Sequence, residues 1–216
     1  MKKSAIFLAL ISLLLFTGCV TVPPKDYTAF RQHQPKSILV LPPQNMATDI
    51  NAGYSVLTTA TRPLSELGYY VFPVVMVDQL LKENGLPTAA EMHGAPLDKL
   101  HEVFGADAVL YLTVQQYGTK YMVINSTTVV EARGKLVDCQ TGTVIWEDRV
   151  MAQLGGNSSS DPIAALVGAL VDQVVNKMTD QAHNCAYMAS AMLLANPNTG
   201  LLKGPRHPEF GKPAAK

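Results

Sequence analysis

Short apolar runs and helical periodicity alternate along the first half of the chain. The run Ser37–Leu41 is stopped by two prolines and predicts a buried strand. Apolar positions that recur at three and four residues predict helices, and two further short apolar runs predict strands. In chain order these elements are a helix over Gly53–Leu67, a strand over Tyr69–Pro73, helices over Val74–Asn84 and Leu97–Phe104, and a strand over Ala108–Tyr117.

From Lys120 to Met151 the apolar positions alternate with a period of two. This period is typical of antiparallel strands that have one face in the core and one face in water. Asp138–Gly142 is predicted to be the turn, and Thr143–Met151 the returning strand, which carries Trp146. The polar face includes Glu131, Arg133 and Lys135. A strand facing lipid would not tolerate these charges, so the hairpin is predicted to lie in water.

A helix is predicted over Asp161–Gln181, because a capping aspartate and a proline precede a long apolar periodicity. Its apolar positions cover about half of the helix circumference, which is wider than one ordinary core-facing stripe. Small residues at Ala165, Gly168 and Ala169 would let another backbone approach the opposite side. Two interpretations remain open, namely deep packing in the domain's own core and a contact between the subunits of a homodimer. A short helix over His183–Ala195 follows.

The first residues are typical of an export signal. Two lysines precede the apolar run Ala5–Phe16, whose roughly 12 residues are too few to span a bilayer, which takes about 20. The run ends in Phe16–Cys19, which resembles the lipobox of bacterial lipoproteins. It predicts cleavage after Gly18 and diacylation of the Cys19 thiol; an ordinary signal with an incidental cysteine is the alternative. Val20 after the cysteine resembles an outer-membrane sorting context.

These patterns predict four parts of the chain. Residues 1–18 are the signal peptide, 19–35 the lipidated cysteine and an extended tether, 36–195 the α/β domain, and 196–216 a tail rich in proline and glycine. The tail is predicted to lie over the domain or to stay disordered, because it cannot build a core.

Composition excludes some classes of protein. The 216 residues contain 17 Lys and Arg against 17 Asp and Glu, so the chain lacks the basic excess of a nucleic-acid binder. Hydrophobic residues make up 48% of the chain, which excludes disorder throughout. Removal of Lys2 and Lys3 with the signal peptide would leave 15 basic residues against 17 acidic ones.

Two cysteines remain if Cys19 is lipidated. Cys139 and Cys185 would then lie in an oxidising compartment, where an even number of thiols predicts one disulfide. Two free thiols are the first alternative. A metal site that also uses Asp138 and His183 is the second, although no ligand spacing supports it. We therefore expect no metal and no cofactor.

Four segments, taken in order, resemble a pattern of bacterial envelope proteins. They are Ser37–Leu41 with its proline stop, Gly68–Pro73, Gly105–Leu110, and Leu136–Trp146 with its Asp-x-x-Thr-Gly turn. The pattern is similar to the uncharacterised bacterial lipoproteins of the DUF799 group. It is more distantly similar to the curli-secretion lipoprotein CsgG, the amino-terminal domain of TolB and the lipoprotein activators of penicillin-binding proteins. The resemblance covers roughly residues 36–182. It implies an α/β fold, with a single domain whose mixed, partly antiparallel sheet is flanked by helices.

The resemblance also implies an envelope component without catalysis, and the residues offer no catalytic constellation. We expect a lipoprotein anchored in the outer membrane with its domain in the periplasm. It would act as a homodimeric structural or adaptor component of a secretion, transport or assembly system, with an envelope protein as partner and no nucleic acid. A ligand-binding lipoprotein that feeds a transporter and an activator of peptidoglycan synthesis are the alternatives.

Overall fold

The fold was analysed in a computed structural model, which describes residues 25–121, 126–154 and 181–212. The elements in chain order are Thr28–His33 (α1), Ser37–Val40 (β1), Gln44–Asn45 (β2), Ala52–Glu66 (α2), Tyr70–Val71 (β3), Val74–Glu83 (α3), Ala89–His93 (α4), Leu97–Phe104 (α5), Ala108–Tyr121 (β4), Ser126–Asp138 (β5), Val144–Leu154 (β6) and Gln181–Leu194 (α6). The signal peptide, Cys19 and most of the predicted helix 161–181 lie outside the described residues.

The strands form one mixed sheet in the order β3-β1-β4-β5-β6, and β2 pairs with β4 beyond the end of β1. The strands β3, β1 and β4 are parallel, because helices connect them on the faces of the sheet. The strands β4, β5 and β6 are antiparallel, and the polar turn predicted at residues 138–142 joins the last two. The predicted fold class, a mixed sheet flanked by helices, is confirmed.

Alternating side chains of the sheet build two separate cores. On one face, Val40, Leu110 and Leu136 pack with α2 and α6 in the larger core. On the other face, Leu39 and Val109 pack with α3, α4 and α5 in the smaller core. This division follows from the strand geometry, because successive side chains point to opposite faces. On the second face the exposed Arg133 and Lys135 of β5 belong to the polar side that the period of two predicts.

Trp146 is buried against a strand position that has no side chain. A Cβ atom at Gly134 would lie 2.9 Å from Cζ3 of the Trp146 ring and 3.3 Å from Leu193. The glycine therefore leaves the space that the indole occupies between β5 and α6. Any larger residue at this position would push the ring out of the larger core.

The predicted tether differs from the structure, and the tail has the first of its two predicted forms. The residues predicted to be an extended tether contain α1, whose Phe30 is buried in the larger core. The tail lies over the domain, because Leu201 is buried and the amide of Gly204 donates to the carbonyl of Leu67 at 2.7 Å. The predicted domain limits, 36 and 195, are therefore too narrow at both ends. Buried apolar anchors and backbone hydrogen bonds, rather than periodicity, attach these segments.

Candidate functional site: a tethered domain with an apolar groove

The aspartate of the Gly-Ala-Asp-Ala segment has a structural role. The Oδ2 atom of Asp107 accepts hydrogen bonds from the amides of Lys36 and Ser37 and from the Ser37 hydroxyl, at 2.8–3.0 Å. The Ser37 hydroxyl in turn accepts the amide of Asp107. The carboxylate thus joins the first residues of β1 to those of β4. The aspartate of this motif therefore stabilises the fold, and no contact with a substrate is needed to explain it.

The aspartate of the Asp-x-x-Thr-Gly turn is also occupied. The Oδ1 atom of Asp138 accepts the amides of Gln140 and Thr141 and the Thr141 hydroxyl, at 2.8–3.1 Å. Its Oδ2 atom lies 3.2 Å from Nδ1 of His33. Burial of Asp138 opposes ionisation, but the hydrogen bonds from Thr141 and the neighbouring His33 outweigh it, so the pKa of Asp138 is lowered. The carboxylate stabilises the turn and fastens α1 to it.

The predicted disulfide between Cys139 and Cys185 is wrong in this structure, where both are free buried thiols. Cys139 lies in the smaller core directly after β5, whereas Cys185 lies in the larger core. The Cys185 Sγ atom is 3.6 Å from the carbonyl oxygen of Thr128, near the other end of β5. Asp138 is ten positions after Thr128 along the strand, which is roughly 33 Å, whereas a disulfide needs Cα atoms within about 7 Å.

Both thiols should therefore react with a maleimide only after unfolding. Burial raises the pKa of the Cys139 thiol and of the Cys185 thiol to about 12, so neither is nucleophilic in the folded protein. We expect mass spectrometry to find both residues alkylated in denaturant without reductant, and neither alkylated in buffer. A peptide that joins the two cysteines would contradict this assignment.

The polar residues considered for a metal site are not brought together. Asp138 and Cys139 lie at the turn end of β5. His183 lies at the start of α6, and its Nδ1 atom is 2.8 Å from the hydroxyl of Ser55 on α2. Tyr117 donates to the same hydroxyl at 2.9 Å. This small cluster was not predicted, because its members are more than 60 residues apart in the sequence. It pairs polar groups where α2, β4 and α6 meet.

Within the described ranges, no three His, Cys, Asp or Glu side chains are grouped to hold a metal ion. In the same part of the chain, no helix is long and apolar enough to cross a bilayer. The interface candidates Ala165, Gly168 and Ala169 lie outside the described residues, and their role stays a prediction.

Lys25 fastens the start of the described chain to the domain. Its ammonium group donates to the carbonyls of Glu147 at 2.6 Å and Thr199 at 2.9 Å, and lies 3.4 Å from a carboxylate oxygen of Asp148. The same group lies 4.8 Å from the centroid of the Trp146 ring. Burial lowers the pKa of Lys25, and the neighbouring carboxylate of Asp148 opposes that effect. The amino-terminal segment, the edge of β6 and the carboxy-terminal tail therefore meet at one point.

An apolar groove opens between α3 and α5. It has a volume of about 280 Å³, and Leu80, Leu86, Val103 and Phe104 line much of it. Val103 is 61% exposed at its rim, and Met76, one turn before Leu80 on α3, is 62% exposed. The sequence does not single these residues out, because the helical periodicity that places Leu81 and Leu100 in the core does not tell which other apolar residues stay in water.

Comparison with known proteins identifies the relatives of this chain. A "Putative lipoprotein NMB1124/NMB1162" of Neisseria meningitidis serogroup B is 42% identical over 208 residues, covering 94% of this chain and 97% of that protein. The crystal structure of lipoprotein GNA1162 from Neisseria meningitidis is 44% identical, with a TM-score of 0.56 over 66% of this chain and all of that one. A PelC dodecamer from Paraburkholderia phytofirmans is 16% identical, with a TM-score of 0.46 over 86% of this chain and 95% of that one.

The family model that matches spans nearly the whole folded unit. It is described as "Putative lipoprotein GNA1162-like" and matches residues 25–206. These limits include Lys25 and the attached tail, in agreement with the packing of both ends. The chain therefore belongs to the GNA1162-like lipoprotein family.

Proposed function

We propose that this protein is an outer-membrane lipoprotein whose periplasmic domain acts as a non-catalytic adaptor in an envelope secretion, transport or assembly system. The observation that carries the proposal is the exposed apolar groove between α3 and α5, on a domain whose motif carboxylates are engaged in structural hydrogen bonds. An adaptor needs a rigid body, an anchor and a docking surface, and each of these has a candidate in this chain.

The anchor is the lipidated Cys19. The contacts of Lys25 with Glu147, Asp148 and Thr199, called the Lys25 clamp below, limit how far the domain can move from this anchor. Lys25 is six positions after Cys19, and a fully extended chain spans at most about 20 Å over six steps. The end of the domain that carries the Lys25 clamp therefore stays close to the bilayer. An anchored domain held in this way can present the same surfaces to a partner at every encounter.

The docking surface is suited to an apolar side chain or helix of a protein rather than to a complete small ligand. Small-molecule sites are commonly 300–1,000 Å³ and bury most of the ligand. The groove, at about 280 Å³, is slightly smaller than that range, and the exposed Val103 extends its apolar surface outward. Apolar helices recognise such grooves through anchors one turn apart.

Site-specific photo-cross-linking in living cells tests this proposal. A photoreactive residue placed at Val103 should cross-link to one envelope protein, and the same residue at the exposed Glu83 of α3, whose side chain does not line the groove, should not. Leu80→Asp, which puts a charge in the groove wall, should reduce the Val103 product at least about tenfold. Equal products at both positions would contradict an adaptor groove. A small molecule that co-purifies with the full chain and is lost in Leu80→Asp would instead favour the ligand-binding alternative.

A further inference from the structure

One half of the second sheet face is not covered by a helix in the described part of the chain. Helices α3, α4 and α5 pack over β1 and β4 in the smaller core. On the same face, β5 and β6 present exposed side chains to water. These are Arg133, Lys135, Glu147, Arg149 and Met151, and they are called the open face below.

Two arginines lie directly opposite each other on the open face. The register of β5 and β6 pairs Arg133 with Arg149. Like charges in directly opposite positions destabilise a sheet, so an anion beside them is favourable. Glu147 supplies one for Arg133, whose Nε atom donates to the Glu147 carboxylate at 2.8 Å. The guanidinium group of Arg149 has no ion-pair partner among the residues that the structure describes.

The other charges of this surface leave it cationic. The Lys135 ammonium group lies 5.3 Å from the centroid of the Tyr111 ring, next to the arginine pair. Glu131, beside the open face, is engaged by Gln116, whose Nε2 atom donates to its carboxylate at 2.9 Å. Three cations therefore stand against the two carboxylates of Glu131 and Glu147, and both carboxylates are already bonded to neighbours. The surface is complementary to an anion.

The segment that leads to the anchor reaches the domain beside the open face. The Lys25 ammonium group donates to the carbonyl of Glu147, two positions before Arg149 on β6. Cys19 is six positions before Lys25, so at most about 20 Å of extended chain separates the anchor from this edge. The bilayer that holds the acyl chains is therefore within reach of the open face.

We propose that the open face rests on the anionic phospholipid headgroups of the membrane that holds Cys19, with Arg149 binding a lipid phosphate. The planar guanidinium group matches a phosphate with two parallel hydrogen bonds. Charges that exclude these strands from the hydrocarbon core suit the headgroup layer, where each basic residue favours contact about fivefold. Because the anchor supplies a high effective concentration, a contact too weak to recruit a free protein is enough to orient an anchored one.

This inference rests on the anchor of the proposed function but not on its groove. The groove lies between α3 and α5, whereas the open face belongs to β5 and β6. Loss of the Val103 cross-link would therefore leave the orientation of the domain unchanged.

Fluorescence quenching by lipid headgroups tests this orientation. The lipidated full chain with Met151→Cys is labelled with a fluorescent maleimide, which does not reach the buried Cys139 and Cys185. It is then placed in phosphatidylcholine vesicles that also contain phosphatidylglycerol and a lipid with a quenching headgroup. We expect quenching at position 151 to be at least about threefold stronger than in the control Met76→Cys, which labels another exposed methionine, on α3.

Charge variants show whether headgroup charge causes the contact. Arg149→Glu should lower the quenching at position 151 to that of Met76→Cys, whereas Lys99→Glu, the same change in net charge on α5, should not. Vesicles of phosphatidylcholine alone, or about 1 M salt, which screens charges beyond roughly 3 Å, should act like Arg149→Glu.

The outcomes separate this inference from the anchor. Equal quenching at positions 151 and 76 in a chain that floats with the vesicles would overturn the inference alone. Quenching at position 151 that survives both Arg149→Glu and uncharged vesicles would overturn it too, because the contact would not depend on headgroup charge. A chain that does not float with the vesicles would lack the anchor and would contradict the proposed function as well.

Discussion

Replacing Trp146 with alanine is expected to lower the free energy of unfolding by about 3–5 kcal/mol, which is the usual cost of deleting a buried tryptophan. The side chain is 3% exposed, fills the space above Gly134, and donates from Nε1 to the carbonyl of Thr199 at 2.8 Å. Its loss would leave a cavity between β5 and α6 and would release the first residues of the tail. A domain with an ordinary stability of 5–15 kcal/mol would lose a large part of it.

Urea unfolding of the full chain measures this loss. Trp146 is the only tryptophan, so the transition must be followed by circular dichroism and not by fluorescence. The matched control is Trp146→Phe, which keeps most of the apolar volume, removes the donor to Thr199 and should cost about 1–2 kcal/mol. An alanine variant within 1 kcal/mol of the native chain, on the order of a surface substitution, would show that the ring does not organise this core.

Replacing Cys19 with alanine is expected to abolish membrane anchoring. Each buried CH₂ of an acyl chain contributes about 0.8 kcal/mol, and two chains suffice for stable attachment. Without the acyl-accepting thiol, the protein should appear as a soluble periplasmic species or as the unprocessed precursor. Fractionation of cells labelled with radioactive palmitate measures both the location and the modification.

The control for this experiment is Cys139→Ala, which removes a buried thiol and should leave the labelled protein in the membrane fraction. A Cys19→Ala protein that still floats with outer-membrane vesicles, without label, would show that another part of the chain holds it there. The basic tail would then be the first region to test, since Lys203, Arg206 and Lys212 are exposed.

The regular elements of the first half were predictable because each carries its own local signal. Helices α3 and α5 agree with their predicted ranges to within one residue, since glycines follow their apolar periodicity at Gly85 and Gly105. Helix α4 was missed although a signal was present. Thr88 and Glu91 form a capping box, which Thr-x-x-Glu in the sequence could have indicated.

The contacts between distant segments were not predictable from periodicity or composition. Lys25, Trp146 and Thr199 meet through backbone carbonyls, which every residue possesses and which leave no mark on the sequence. The proposed disulfide failed for a related reason. Counting thiols indicates how many could pair, but the strand β5 alone sets how far apart Cys139 and Cys185 lie.

The sequence by itself predicted an export signal, and it determined most of the helices and strands in the first half and the water-facing side of the hairpin. Each of these depends on residues adjacent along the chain or on a period that one element imposes. Only the tertiary structure decided that the tail belongs to the fold, that the motif aspartates join strand ends, and that β6 is the last strand of the sheet in the part of the chain that the structure describes. These features depend on which segments become neighbours when two cores are filled at once, and that outcome is a property of the whole packing rather than of any local pattern.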